Sequence, residues 1–526
     1  MFACSDFLTQ TLVGLFLFLF IVSLRALHRL LTKHHNSTPL PPGPKPLPLI
    51  GSVHLMPDAY QEKQFLAWGR QFGDLVYVKA FNRPMVITNS LNVAKDLMEK
   101  RGAIYCDRPR FVLLNEMLQL DCNVALIKYG NQFRKTRKWI QDSFSSAAVM
   151  DYRTRQRREL LVMLMGILDR PTAISSHIAR FTEALIVDIA YGHTVTTDDD
   201  KIIDLGERGN HAFAAVGNAG STLVDFFPVL RYYPTWLPGA GFKRRATSAA
   251  KLLRAMHDVP YNMVKAQFKY GTPRPSFTAS LLDRFFSEGN FNMSLQDEKE
   301  IKGSAGTLFS AGTETMGSTM NTFIPAMLHH PHVYQKVQEE MDQVVGLHRL
   351  PDIEDRDSLP YMNAVIQETY RWHAPLPLGL PHFSNQEDTY NGYRIPSETL
   401  VVANIWGISR DENLYGPDPD VFRPERFINS KEIVDPKNYI FGFGRRLCPG
   451  RDFADTCVFL VLASIVSTMN IQKAKDECDS QIIPPLQFTD GFASRPMPFA
   501  SVITPRSQSA IDLIRQQDNN GTATSM

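Results

Sequence analysis

The ten residues Phe441-Gly442-Phe443-Gly444-Arg445-Arg446-Leu447-Cys448-Pro449-Gly450 constrain the fold of this 526-residue chain more than any other stretch. They present one cysteine between a glycine-rich turn and a proline. Glycine before the cysteine removes side chains from a loop that must lie close to something flat. Pro449 suits the first turn of a helix, where its missing N–H removes no hydrogen bond. Cys448 then stands at that helix's N-terminus, where the dipole favours a thiolate. Arg446 is placed to meet an anionic group on the same ligand. Haem asks for these features together: an axial ligand, close approach of backbone, and a cation for its propionates. The plainer alternative is a structural cysteine in a turn, since most free cysteines are inert small hydrophobes.

The spacing F-x-x-G-x-R-x-C-x-G fixes five residue types, which chance supplies in roughly one chain of this length in several thousand. It is the haem-binding signature of the cytochrome P-450 family, which the chain resembles. The resemblance implies the family fold, mainly α with a small β region, and haem b (iron protoporphyrin IX). Cys448 would be the thiolate axial ligand, with Phe441, Gly444, Arg446 and Gly450 shaping the loop around it.

Other segments test the resemblance. Ser294 and Asp297 form a capping box that opens a helical pattern ending near Pro331. On that helix Ala311 and Thr315 share a face, and Ala311-Gly312-Thr313-Glu314-Thr315 interrupts the run with small and polar residues. Glycine inside a helix costs about 1 kcal/mol, so something compensates: a cofactor and a diatomic ligand pressed on the helix, or a helix crossing. The family resemblance implies the former, with Glu314 as acid and Thr315 as alcohol of a relay that carries protons to bound oxygen. Glu368 and Arg371 stand three apart on a helix, a spacing that surface ion pairs also use. The resemblance adds Arg426 and makes the three a buried charged triad. Phe133 and Arg137 occupy the family's W-x-x-x-R position with Phe in place of Trp, leaving Arg137 to pair a propionate. His382 stands where a further propionate contact is common. The cluster Arg134, Lys135, Arg137 and Lys138 reads as a solvated face or as a docking surface for an acidic electron donor. Phe111, Phe309, Ala311, Leu378 and Phe492 are candidates to line an apolar pocket, each equally placed to be ordinary core.

Formal charge is only +2, so no nucleic-acid partner is implied. Six cysteines without a C-x-x-C pair suit a reducing compartment. Residues 7–24 are almost wholly apolar and are followed by Arg25, His28, Arg29 and Lys33. That pattern predicts one transmembrane helix contacting membrane lipid, with the remainder cytosolic. A cleaved signal peptide would need a basic start and a small-residue cleavage site, which are missing. The chain therefore divides into a membrane anchor with its basic flank (1–35), a Pro-rich linker (36–50), a catalytic domain (51–508) and a loose polar tail (509–526). Within the domain, strands are expected at 75–80 and 85–88, helix over about 130–350, and strands again at about 376–404.

The resemblance to fungal microsomal members implies a haem-thiolate monooxygenase of the endoplasmic reticulum. It would insert one atom of O2 into a lipophilic or aromatic small molecule, in xenobiotic oxidation or secondary metabolism. Electrons would come from NADPH through NADPH-cytochrome P-450 reductase, with cytochrome b5 as an additional donor. Two alternatives stay open: an isomerase or dehydratase of peroxides working without a reductase, and a non-enzymatic membrane-tethered haem protein.

Overall fold

The computed structural model describes residues 38–197, 199–216, 222–287, 290–430 and 432–523. The expected membrane anchor lies outside them; among the described residues no helix is long and apolar enough to cross a membrane.

The helices that position the site are α1 (Gln61–Phe72), α2 (Asn131–Ser143), α3 (Arg153–Asp169), α4 (Ile174–Tyr191), α5 (Lys201–Ala214), α6 (Gly241–Lys269), α7 (Leu295–His329), α8 (Pro331–Val344), α9 (Pro360–Trp372), α10 (Arg451–Thr468) and α11 (Gln508–Ala523). The central one is α7, 35 residues long. Its start is fixed by Ser294, whose Oγ accepts from the Asp297 N–H at 3.0 Å and whose hydroxyl donates to the Asp297 carboxylate at 2.6 Å. Its end is set by Pro331, which has no N–H to continue the ladder and instead opens α8. Helices α4, α6 and α10 pack along α7. Helix α4 from Phe181 and α10 from Cys457 are buried all round, enclosed within a large core.

The β region is a four-stranded sheet of β1 (Leu75–Ala80), β2 (Arg83–Thr88), β3 (His382–Phe383) and β4 (Leu400–Ala403), in the order β1-β2-β4-β3. Strands β1 and β2 form the expected hairpin, with Ala80 opposite Arg83 and Phe81 at φ 52° in the turn. Strand β2 then pairs parallel with β4, Val86 against Val401, and all four Val86, Ile87, Val401 and Val402 side chains are buried. A second, two-stranded sheet pairs β5 (Met469–Lys473) with β6 (Ser501–Pro505).

Two segments differ from the sequence expectation. Within the stretch read as helical, Phe286–Ser287 pairs with Asn290–Phe291 in a short hairpin. Its two phenylalanines pack on Phe268 at 5.2 and 5.7 Å between ring centroids, and that aromatic contact outweighs helical periodicity. The tail expected to be loose is helix α11, held by buried Ala510, Leu513 and Ile514 against α3 and α10. Its apolar residues fall at i, i+3 and i+4, one stripe within a polar composition. Truncating the fully buried Ile514 is expected to cost about 2–4 kcal/mol. Chemical denaturation of the Ile514→Ala holoprotein checks this; an unchanged midpoint would mean the helix does not dock.

Candidate active site

The cysteine loop closes on itself through a backbone bond, the Cys448 N–H donating to the Phe441 carbonyl at 2.8 Å. Phe441 is half-buried and meets Tyr370 of α9 edge-on at 6.0 Å. Gly442 and Gly444 both have positive φ, 83° and 51°. A Cβ on Gly444 would lie 2.3 Å from the Met98 carbonyl oxygen. This glycine therefore permits close packing on the neighbouring helical turn, a correction to the expectation that it clears space for the ligand. Helix α10 begins at Arg451 with Gly450 as N-cap, so Pro449 lies in the turn before the helix and not in its first turn. The sulfur nevertheless receives the Gly450 N–H. Burial raises the Cys448 pKa, while that N–H and the Arg137 charge pull it back. Cys457, by contrast, is enclosed within α10, where Gln156 Nε2 reaches its sulfur at 3.1 Å.

Around the loop are guanidinium groups without acids. Arg446 donates to the carbonyls of Cys106 (2.7 Å) and Ile127 (2.9 Å) and lies 3.8 Å over the Phe133 ring. Its Nη1 is buried with no partner. Arg137 reaches the Leu447 carbonyl. Arg108, which no motif marked, is 3% exposed and donates to the carbonyls of Ala125, Leu380 and Pro381. Asp107 acts on Arg108 and Arg446, yet its Oδ1 is turned to the backbone N–H groups of Arg108 and Tyr129, each at 2.8 Å. Burial pushes Arg446 down to about 10. Buried cations without counter-ions destabilise a fold by several kcal/mol. A dianionic ligand relieves that penalty, and the orphan Nη1 of Arg446 marks where one acid of it would sit. The donor set fits a haem.

His382 is buried on β3 with its Nδ1 2.9 Å from the Tyr105 carbonyl. A carbonyl only accepts, so Nδ1 carries the hydrogen. Burial, and then the Arg108 charge, hold the ring neutral. Its Nε2 is then a lone pair, which cannot donate to a propionate as the sequence reading expected.

Residues Gly303 to Phe309 and Met316 to Met320 of α7 are buried, yet Ala311 between them is exposed, and Gly312, Glu314 and Thr315 are half-buried. An accessible stretch in the middle of a core helix marks a void beside it that no protein atom fills. Ala311 and Thr315 share its face, and the Thr315 hydroxyl donates to the Ala311 carbonyl at 2.8 Å. Gly312 points elsewhere: a Cβ there would lie 2.9 Å from Ile186 of α4. Its small size serves a helix crossing, the plainer of the two sequence alternatives.

The pocket candidates divide. Leu378 and Phe492 line one cavity of about 320 Å³ beside the sheet, together with Phe81, Met85, Phe226 and Leu400. Phe111 and Phe309 are fully buried core, Phe309 meeting Tyr191 edge-on at 6.3 Å. Neither they nor Ala311 line that cavity. In the basic cluster, Lys135 pairs with Asp297 (2.6 Å) and Glu300 (2.8 Å) and Arg137 turns inward, leaving Arg134 and Lys138 exposed.

Behind the loop, Glu368 and Arg371 are wholly buried on α9. The carboxylate receives Arg371 Nε at 2.7 Å and Nη2 at 2.8 Å, Arg426 Nε at 3.2 Å and the Arg423 N–H at 2.6 Å. The arginines in turn satisfy the carbonyls of Ser409, Pro419, Val421 and Tyr415. One acid thus ties α9 to the whole segment that leads to the cysteine loop.

The loop cysteine, the arginines around it and the uncovered stretch of α7 fit a haem-thiolate protein. The chain belongs to the cytochrome P450 family, whose model matches residues 41–499. It is 42% identical to cytochrome P450 monooxygenase 176 of Postia placenta over 92% of this chain and 94% of the relative. It is 36% identical to cytochrome P450 monooxygenase claR of Ampulloclitocybe clavipes (90% and 88%) and 34% identical to cytochrome P450 monooxygenase ple1 of Rhodocybe pseudopiperita (92% and 92%). It is accordingly an oxidoreductase of the monooxygenase class with haem held by a cysteine thiolate.

Removing Glu368 leaves two arginines buried without a carboxylate, a change that costs about 3–5 kcal/mol. Glu368→Ala is expected to yield protein with little haem per chain, measured by pyridine haemochrome against protein mass. Full haem occupancy would contradict a bracing role.

Proposed function

We propose that the protein is a membrane-anchored monooxygenase that places one atom of O2 into a lipophilic or aromatic small molecule, as an oxidase of xenobiotics or a tailoring enzyme of secondary metabolism. Cys448 would supply the thiolate that ligates the haem iron, and Arg446, Arg137 and Arg108 would hold the propionates. Electrons come from NADPH through a membrane-bound flavoprotein reductase, with exposed Arg134 and Lys138 on the docking face. Residues 7–24 anchor the chain in the endoplasmic reticulum with the catalytic domain in the cytosol.

The observation that carries this reading is the void at the centre of α7, bordered by Ala311 and Thr315 with Glu314 next in line. When bound, haem supplies the iron at which dioxygen is reduced and a substrate C–H bond is oxidised. The chain's task is to deliver protons there without flooding the site. The Thr315 hydroxyl, released from the Ala311 carbonyl, can donate into the void and be reloaded through water. Glu314 is turned about 100° round the helix from it, so it reaches the void through water. The cavity lined by Leu378 and Phe492 offers apolar, aromatic walls on the sheet side, which supports a lipophilic substrate.

The test is a panel of lipophilic and aromatic compounds turned over by the holoenzyme with reductase, NADPH and isotopically heavy dioxygen. The expected result is product carrying one heavy oxygen atom. Product formed without NADPH, or oxygen drawn from water, would reject the reading. Thr315→Ala is expected to keep consuming NADPH while product per NADPH falls by about a hundredfold and peroxide rises, the lower end of the scale for loss of one proton-transfer group.

A further inference from the structure

A buried acid on α4 has no structural work assigned to it. Glu183 is 5% exposed, makes no hydrogen bond or ion pair among the described residues, and its Oε2 is enclosed without a partner. We propose that Glu183 is a buried proton carrier linking the exposed Glu207 to Glu314, so that three carboxyl groups on three helices pass protons from solvent to the oxygen site through intervening water. The inference rests on the reading of Glu314 as the acid of that site, and extends it outward.

The three acids meet at one junction. Helix α4 crosses α7 through Ile186 against Gly312 and Thr182 against Gly317, and Glu183 lies between these two contact residues. Helix α5 meets the same stretch of α7: a Cβ on Gly206 would lie 2.5 Å from Phe309, and the Asn210 amide donates to Thr313 at 3.3 Å. Glu207 follows Gly206 directly and is exposed to solvent. Among the described residues, the charges that act on Glu183 are Glu207 from α5 and Glu314 from α7, both negative, with no cation to offset them. Burial first, then these two neighbours, push its carboxyl up to about 8. At neutral pH Glu183 is therefore protonated and close to giving that proton up, the condition a relay requires. A structural role is poorly served by such a group. A buried carboxyl with no partner destabilises a fold, and Leu or Gln would fill the space better.

The step balances as a proton transfer alone. The Glu183 O–H bond breaks as its proton moves through water to the Glu314 carboxylate, which has just given its own proton inward. The Glu183 carboxylate is then refilled from Glu207 or bulk water. No electron moves and no further reactant is needed.

The experiment uses the full-length holoenzyme reconstituted with reductase, NADPH and O2 as the probe, without organic substrate. It measures peroxide released per water formed. Proton delivery to the outer oxygen favours water; its failure favours peroxide. Wild type is expected to shift toward peroxide as pH rises through about 8, where Glu183 loses its proton. Glu183→Gln is expected to raise the peroxide-to-water ratio by about a hundredfold at neutral pH and to abolish that pH step. Its haem content and its peroxide-driven oxidation of guaiacol should stay at the wild-type level, since peroxide brings its own protons. A wild-type ratio that is flat through this pH range overturns the proposal without recourse to any variant. So does a Glu183→Gln ratio equal to wild type while Glu314→Gln raises it, which leaves Glu314 as the acid. If Glu314→Gln changes nothing either, the assignment of Glu314 fails and the relay falls with it.

Discussion

The structure depends on a charge imbalance held inside it. Arg108, Arg137 and Arg446 converge near the cysteine loop with carbonyls as partners and no carboxylate in ion-pair contact. A protein interior does not tolerate that arrangement unless something else supplies the negative charge. The thiolate of Cys448 and a dicarboxylate ligand together supply it. The haem is thus part of the electrostatic balance of the fold, and the loop geometry and the void over α7 are two faces of the same requirement.

A second charged device, with opposite logic, stands behind the first. At Glu368 every member has hydrogen-bond partners: one carboxylate meets two guanidinium groups and a backbone N–H, and the guanidinium groups satisfy four carbonyls. Such a network fixes geometry because each member has one place to be. It holds the segment from Tyr415 to Arg426 rigidly on α9, and Tyr370 of the same helix packs on Phe441 at the head of the loop. The sulfur is therefore positioned by a chain of contacts that begins at a buried ion pair.

What could be read from the sequence followed from how tightly chemistry restricts residue type. The loop of Cys448, and Glu368 with Arg371, carry fixed spacings, and the structure shows the loop closed and the pair in contact. Where one residue type serves two purposes, sequence was silent. Phe309 and Phe492 look alike on paper, but a glycine on α5 lets Phe309 into the core while Phe492 lines a cavity. Gly444 was read as clearance for a ligand and Gly312 as either that or a helix crossing, and both turn out to admit protein neighbours. Arg108 and Glu183 belong to no motif. Their meaning comes from what other helices and loops fail to place beside them, which only the tertiary arrangement reveals. Helix α11 was hidden for a simpler reason: three apolar residues on one stripe are diluted by a polar tail.

The central claim is that the sulfur of Cys448 binds the iron of a haem. The most direct measurement is the absorption spectrum of the purified full-length protein, reduced and saturated with carbon monoxide, beside a Cys448→Ser variant. The account predicts the strongly red-shifted Soret band of thiolate ligation in the wild type and its loss in the variant. Undamaged wild-type protein with an imidazole-type band, or a variant that keeps the thiolate band, would contradict it.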